Sequence, residues 1–260
     1  MNLAGLLANL GITAGAVLVV MLVALAVAVA RGRHDGIDTV WGLGFAVIAV
    51  VGLIVSGTGW LVTALTVIWG VRLAAYIQLR NGRRPEDPRY VALMKRATGN
   101  PHWYAFRKIY LVQGLIMWFV SWPVQAAQYE TGGFGPLAWL GVAVWLVGIA
   151  FESVGDWQLA RFKADPAHKG MVMDRGLWRY TRHPNYFGDS VVWFGLWLLA
   201  CSHWLGVLTV VAPVFMTNML VRHTGKRLLE KHMARSKGAA YADYVRRTSG
   251  FVPWPPRRRL

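Results

Sequence analysis

Long apolar runs separated by short basic segments are the feature that most constrains this chain. An α-helix needs about 20 predominantly apolar residues to cross the hydrocarbon core of a bilayer. Runs near that length lie at residues 10–30, 38–56, 58–79, 108–127, 135–155, 187–202 and 204–222. We therefore predict an all-α, polytopic membrane protein with seven transmembrane helices, forming a single membrane domain over residues 1–260. The last two runs are short and separated only by Ser202 and His203, so six spans is the competing count.

Composition supports a membrane protein and argues against other classes. Hydrophobic residues make up 55% of the chain and charged residues 15%, which is too apolar for an ordinary soluble domain. The net charge of +16 would suit a nucleic-acid-binding protein, but the basic residues lie between apolar runs and form no soluble basic domain. We predict no nucleic-acid partner. Cys201 is the single cysteine, so the sequence offers no internal disulfide and no thiol-rich metal site, and we predict no metal.

The positions of the basic residues predict the orientation. Of the 28 Lys and Arg, all but Arg72 fall at residues 31–37, 80–108, 161–182 and 222–260. The intervening connections contain none; they are 56–59, 128–136 and 202–203. Because Lys and Arg accumulate in cytoplasmic loops, we predict an N-terminus outside and a C-terminus in the cytoplasm. The first run has no basic segment before it, which favours an uncleaved helix over a signal peptide.

The densest polar segment begins at the end of the fifth run. Glu152 and Asp156 are four residues apart and therefore share one face of a helix. A carboxylate at membrane depth is costly unless it is paired or faces a watery cavity. For either residue alone, two interpretations stay open: an ion pair with Arg161 or Arg72, and binding of a ligand. The presence of both carboxylates on one helical face favours a cavity.

The sequence Arg182-His183-Pro184-Asn185-Tyr186 follows. Proline is well placed in the first turn of a helix, so we predict that a helix begins here. Helix N-termini attract anions, and the flanking cations favour a phosphate or pyrophosphate over a merely interfacial cluster. The groups that would contribute charge or oriented hydrogen bonds are Arg179, Arg182, His183, Asn185, Tyr186 and Asp189.

The C-terminal segment is basic, aromatic and patterned. Residues 222–233 continue the last run as a helix, with Lys226 and Glu230 one turn apart. An amphipathic helix held on anionic lipid is the alternative. Because the chain lacks GxGxxG, GxxxxGK[ST], HExxH and GxSxG motifs, any nucleotide must be bound without a Rossmann fold or a P-loop.

Three segments carry a resemblance to a known family. They are DWQLARF over 156–162, DRGLWRYTRHPNYFGD over 174–189 and YADYVRRTSGFVP over 241–253. The chain resembles the bacterial DUF1295 family, whose C-terminal half is similar to the steroid 5α-reductases, and the match is specific over about 150–256. The resemblance implies an enzyme of the bacterial inner membrane that holds NADPH in a cytoplasm-facing pocket and delivers hydride to an enone double bond. Sterol reductases and isoprenylcysteine carboxyl methyltransferases share the Arg-His-Pro-x-Tyr element.

The resemblance also implies site residues. Asn185 and Asp189 fall where the reductases place an Asn and a Glu on the cofactor, and Asp156 matches their Asp. Further positions at which the steroid enzymes contact the cofactor correspond in this chain to Lys163, Lys226, Glu230, Arg72 and Arg83. Together with the polar residues described above, the predicted cofactor-binding set is Arg72, Arg83, Glu152, Asp156, Lys163, Arg179, Arg182, His183, Asn185, Tyr186, Asp189, Lys226, Glu230 and Tyr244.

The substrate half departs from the steroid enzymes. They use a Gln-Glu pair on the second helix and a Tyr on the third, whereas residues 38–45 contain no such pair and Trp69 stands at the Tyr position. A ketone needs a hydrogen-bond donor to stabilise its developing enolate. The candidate catalytic residues at this end are Asp38, Tyr76 and Tyr90.

The leading hypothesis is an NADPH-dependent membrane reductase acting on a lipophilic enone. Its helices over 1–79 would face the substrate, and residues 80–260 would bind the cofactor. Two alternatives stay open: an S-adenosylmethionine-dependent methyltransferase of a lipid-borne thiol, and a non-enzymatic transporter or lipid-binding membrane protein. The expected partners are a lipophilic small molecule and membrane lipid.

Overall fold

The computed structural model describes residues 2–82, 84–130, 133, 135–223 and 225–257. Regular secondary structure in these residues is helical, and the β-type contact that they contain is an isolated parallel bridge between Thr181 and Ser249. The prediction of an all-α protein is therefore confirmed.

The α-helices follow one another along the chain as α1 (Leu3–Arg31), α2 (Ile37–Ser56), α3 (Trp60–Asn81), α4 (Pro88–Met94), α5 (Pro101–Ala105), α6 (Leu111–Val120), α7 (Trp122–Ala127), α8 (Pro136–Ala164), α9 (Pro184–Leu198), α10 (Trp204–Leu208), α11 (Val211–Asn218) and α12 (Lys226–Arg247). Two π-helical segments cover Phe106–Tyr110 and Met219–His223, and short 3-10 helices cover Pro166–His168 and Gly176–Arg179. Helix α12 is kinked at Gly238, where φ is 51° and ψ is −125°.

Five helical stretches in the described residues are long and apolar enough to cross a membrane. They are α1, α2, α3, α8 and the stretch Trp204–Arg247 that includes α10, α11 and α12. Their length and hydropathy indicate a membrane protein. The seven-span count, the orientation of the termini and the bacterial inner membrane stay predictions.

The predicted fourth and sixth runs form shorter helices than expected. The fourth is divided into the π-helical segment Phe106–Tyr110, α6 and α7, with a turn at Ser121. Pro123 lies in the first turn of α7, where its missing N–H is tolerated. In the interior of a longer helix that continued α6, the same proline would remove a backbone hydrogen bond. The sixth becomes α9, which has 15 residues.

The chain forms two compact units, and the first comprises Met1–Gly135 with Leu199–Ala212. In this unit α2 and α3 approach closely at Gly42 and Gly70, because a Cβ atom added to either glycine would collide with the backbone carbonyl oxygen of the other. Small residues permit such backbone contact between apolar helices. Polar side chains also join the helices: Thr13 Oγ1 donates to Gln125 Oε1 at 2.7 Å, and both residues are fully buried.

The second unit comprises Pro136–Leu198 with Pro213–Leu260 and is built around the α8–α9 hairpin. Gly141, Gly148 and Gly155 recur every seven residues along α8, and Gly188 and Gly195 have the same spacing on α9. A Cβ atom on Gly148 would lie 2.5 Å from the backbone nitrogen of Val192, and one on Gly195 would lie 2.6 Å from that of Trp145. The two backbones are therefore in contact, which brings polar residues of both helices together.

Candidate functional site

The centre of the candidate site is a cluster of Arg182, His183 and Glu230, of which His183 is buried and the other two are half-buried. Arg182 Nε donates to Glu230 Oε1 at 2.9 Å, and His183 Nε2 lies 3.2 Å from the same oxygen. Arg182 Nη1 also donates to the carbonyl oxygens of Thr248 at 2.6 Å and Val245 at 3.3 Å. The side chains of Arg182 and His183 are 11% and 6% exposed. Arg182 therefore fixes α12 and the segment after it to the start of α9.

The local fold of this cluster follows from the motif around Pro184. Helix α9 begins at Pro184, as the sequence predicts. The residues just before it pair with the chain after α12: Arg182 N donates to Ser249 O at 2.9 Å, and Thr181 Oγ1 donates to Phe251 O at 2.7 Å. The C-terminal segment thus returns to the N-terminus of α9 and is held there by hydrogen bonds to its backbone carbonyl oxygens.

The surroundings of His183 favour its neutral form. Burial lowers the pKa of His183 below its ordinary value of 6.5, and the hydrogen bond with Glu230 opposes that shift only in part. Burial therefore favours the neutral imidazole. An ionised carboxylate only accepts hydrogen bonds, so Nε2 carries the proton and donates it to Glu230. The ring stacks on Tyr186 with centroids 5.5 Å apart and planes at 8°.

A basic cleft of about 940 Å³ lies beside this cluster on α12 and the preceding π-helical segment. Its charged lining residues are Arg222, Lys226, Arg227, Glu230 and Lys231, and His223 lines it as well. Glu230 is engaged by Arg182 and His183. Within the described parts of the chain, no carboxylate lies within ion-pairing distance of Lys226, Arg227 or Lys231. The cleft therefore carries a surplus of positive charge suited to an anion.

The surroundings of Gly250 show how close Lys226, which lines the cleft, lies to Arg182. A Cβ atom at Gly250 would be 2.7 Å from Lys226 Nζ and 3.2 Å from Arg182 Nη2. The ammonium and the guanidinium groups thus converge on one backbone position. Because Glu230 already pairs with Arg182, Lys226 is the cation of the two that has no ion-pairing carboxylate in the described chain and suits an anion.

A second polar group joins α8 to α9. Asn185 Nδ2 donates to Asp156 Oδ1 at 3.1 Å. Asp156 and Glu152 are each 3% exposed and Asp189 is 7% exposed, so three carboxyl groups lie inside the hairpin. The expectation that a buried carboxylate requires a partner is met for Asp156 by Asn185.

Other residues of the predicted set have different surroundings. Tyr244 is buried, and its hydroxyl donates to the carbonyl oxygen of Trp178 at 2.6 Å, so it anchors the 3-10 turn on α12. Lys163 and Arg179 are exposed. Of the predicted cofactor-binding residues that the structure describes, those that line the basic cleft are Lys226 and Glu230. Arg83 lies outside the described residues.

Sequence reasoning missed some members of the site. It placed Arg222, Arg227 and Lys231 in the tail but not in the binding set, although they line the cleft. Tyr241 lines the cleft as well. The available signal was helical periodicity, since residues 222, 226 and 230 recur every four positions and 223, 227 and 231 do the same.

The first unit contains the residues predicted for the substrate end. Tyr90 Oη donates to Asp38 Oδ1 at 2.5 Å and accepts a hydrogen bond from Gln113 Nε2 at 3.3 Å. Arg89 Nη2 lies 3.1 Å from Asp38 Oδ2. Burial raises the pKa of the Tyr90 phenol above its ordinary value. The structure thus joins Asp38 and Tyr90 and adds Gln113, which the sequence did not single out.

The two remaining predicted residues of this unit lie on α3. Arg80 places its guanidinium 5.6 Å from the centroid of the Tyr76 ring, a cation–π distance. Arg72 lies one turn before Tyr76 on the same helix.

Comparison with known proteins identifies the family. The chain matches the family model described as "Protein of unknown function (DUF1295)" over residues 24–248. It is also similar to an uncharacterized protein of Schizosaccharomyces pombe, with 23% identity over 215 residues that cover 73% of this chain and 61% of the yeast protein. The chain thus spans less than two thirds of that relative's length. No solved structure matches the chain. Since the family match covers most of the chain, the basic cleft included, the protein belongs to the DUF1295 family.

Proposed function

We propose that this protein is an NADPH-dependent membrane reductase that transfers hydride to a carbon–carbon double bond of a lipophilic enone. The observation that carries the proposal is the surplus positive charge of the basic cleft beside the Arg182–Glu230–His183 cluster. The resemblance of the segments 156–162, 174–189 and 241–253 to the steroid 5α-reductases supports it.

The chemistry of the cleft suits a phosphorylated dinucleotide. NADPH carries a pyrophosphate and a 2′-phosphate, and Lys226, Arg227 and Lys231 provide cationic donors without an ion-pairing carboxylate in the described chain. The volume of about 940 Å³ falls in the range of roughly 300–1,000 Å³ typical of small-molecule sites. S-adenosylmethionine has no phosphate, so the charge of the cleft favours the dinucleotide over the methyltransferase cofactor.

Each element of the site has a defined task in this proposal. Lys226 and Arg227 would hold phosphates. Glu230, fixed by Arg182 and His183, would present its carboxylate to a ribose hydroxyl. The Asn185–Asp156 pair does not line the cleft, and its part in the proposal rests on the resemblance alone. NADPH supplies the hydride when bound, while the protein binds and orients it.

The experiment is a binding measurement on the detergent-purified protein with NADPH, NADH and S-adenosylmethionine. A ligand that binds only the folded state raises the unfolding temperature by mass action. We expect the largest increase with NADPH and a smaller one with NADH, which lacks the 2′-phosphate. Loss of NADPH absorbance in the presence of lipophilic enones then tests the reaction.

The matched variants separate binding from folding. We expect Lys226→Gln combined with Arg227→Gln to weaken NADPH binding by at least about tenfold, or ~1.4 kcal/mol. Arg235→Gln is the control, because Arg235 lies on α12, is exposed and does not line the cleft. Unchanged NADPH affinity in the double variant would overturn the site. A response to S-adenosylmethionine alone would favour the methyltransferase, and no response to any of the ligands would favour a transport or lipid-binding role.

A further inference from the structure

A second cavity lies within the first unit, between α1 and α2. Its volume is about 740 Å³. Its apolar walls come from Val19, Val23 and Val27 of α1 and from Val40 and Leu43 of α2. Val19, Val23 and Val27 are 60%, 58% and 44% exposed, so the cavity is a groove open along the outer side of the helices, where lipid chains surround a membrane protein. We name it the α1–α2 groove.

One end of the groove is polar and basic. Arg31, Arg33, Asp35, Gln78 and Asn81 line it there. Arg33 binds Asp35 through two hydrogen bonds of 2.8 and 2.7 Å. That contact lowers the pKa of the Asp35 carboxyl, so this pair is ionised and mutually neutralised.

Arg31 supplies the remaining charge at this end of the groove. It is exposed in the last turn of α1. Across the residues that the structure describes, no carboxylate lies within ion-pairing distance of it. The residues that line the polar end of the groove therefore carry one net positive charge, that of Arg31.

The dimensions of the groove suit one leaflet of a bilayer. Val19 and Arg31 are twelve residues apart on a continuous helix, which corresponds to about 18 Å at ~1.5 Å per residue. Half of a hydrocarbon core of about 30 Å is ~15 Å. An acyl chain of one leaflet can thus lie along the valines while an anionic headgroup reaches Arg31.

We propose that the α1–α2 groove binds an anionic phospholipid of the surrounding bilayer, with one acyl chain between α1 and α2 and the headgroup phosphate at Arg31. The α1–α2 groove differs from the rest of the lipid-facing surface because it combines apolar walls as long as one leaflet with a single cation at its end. The proposal does not depend on NADPH binding, because its residues belong to the first unit and those of the basic cleft to the second.

Native mass spectrometry of the detergent-purified protein can test the proposal, with phosphatidylglycerol and phosphatidylcholine of identical chains as probes. We expect the wild-type protein to retain one phosphatidylglycerol in preference to phosphatidylcholine. Arg31→Gln should weaken phosphatidylglycerol binding by about tenfold, or ~1.4 kcal/mol, and abolish the preference. Val23→Trp should fill the groove and displace both lipids.

Two controls keep this test independent of folding. Leu22→Trp adds the same side chain at a neighbouring position of α1 that is 46% exposed and does not line the groove. Arg96→Gln removes an exposed arginine of the same unit. Both should bind lipid as the wild type does. Equal binding of the two lipids by the wild type, equal effects of Val23→Trp and Leu22→Trp, or tighter binding of free palmitate than of phosphatidylglycerol would overturn the proposal.

Discussion

Replacing Glu230 with alanine removes the acceptor shared by Arg182 and His183. The guanidinium keeps two carbonyl acceptors, those of Thr248 and Val245, so its charge is not left without hydrogen bonds. The imidazole Nε2 is left without the oxygen that now lies 3.2 Å away. A hydrogen bond to a charged group contributes about 1.5–3 kcal/mol and a second bond about 1 kcal/mol, so we expect a loss of roughly 3 kcal/mol.

Thermal unfolding of the detergent-solubilised protein measures this loss, with Asp243→Ala as the control. Asp243 lies on the same helix and pairs with Arg246 and Arg247, but its side chain is 36% exposed. Exposed pairs contribute about 0–1 kcal/mol. Glu230→Gln keeps an amide oxygen as an acceptor and should lose less than Glu230→Ala. If Glu230→Ala and Asp243→Ala lowered the unfolding temperature equally, the cluster would not organise this part of the second unit.

Three further predictions follow from individual contacts. Gly148→Ala should separate α8 from α9 and destabilise the protein by at least ~1 kcal/mol, whereas Gly15→Ala, which meets no atom within 4 Å, should not; equal unfolding temperatures for the two would contradict the hairpin contact. Because the pKa of His183 is lowered in the folded state, the unfolded chain binds more protons below about pH 6.5 and stability falls as the pH decreases. The fall in unfolding temperature from pH 7.5 to 5.5 should be smaller in His183→Gln, and an unchanged fall would refute this. Tyr90→Phe should cost about 1–2 kcal/mol, because it removes the hydroxyl that donates to Asp38; an unfolding temperature equal to that of the wild type would show that the bond contributes nothing.

The helical class was predictable from the sequence because it depends on apolar runs alone. Helix α1 contains the whole predicted first run, since an unbroken apolar segment leaves the backbone no alternative in lipid, but it begins seven residues earlier, at Leu3. The division around Ser121 and the short α9 depend on packing between helices and on Pro123, which hydropathy does not capture. Arg-His-Pro-Asn-Tyr marked the start of α9 correctly, because proline restricts the position of a helix N-terminus.

Contacts within the candidate site were predictable from the sequence only where the chemistry of a residue requires a particular kind of partner. The buried carboxyl group of Asp156 required a polar partner, and Asn185 donates a hydrogen bond to it. The pairing of Arg182 with Glu230 joins positions 48 residues apart, and no local pattern specifies such a contact. Gln113 next to Tyr90 was missed for the same reason, since the two residues meet only through the fold of the first unit.

The geometry of Arg182 changes how the site should be tested. The sequence presents Arg182 as a phosphate ligand, yet its guanidinium donates to Glu230 and to the carbonyl oxygens of Thr248 and Val245, so its removal would disturb the fold together with any ligand. Lys226 makes no such ion pair within the described chain and lines the basic cleft. A loss of NADPH binding in Arg182→Ala would therefore be ambiguous, whereas a loss in the Lys226→Gln and Arg227→Gln double variant with an unchanged unfolding temperature without ligand would assign the phosphates to the cleft.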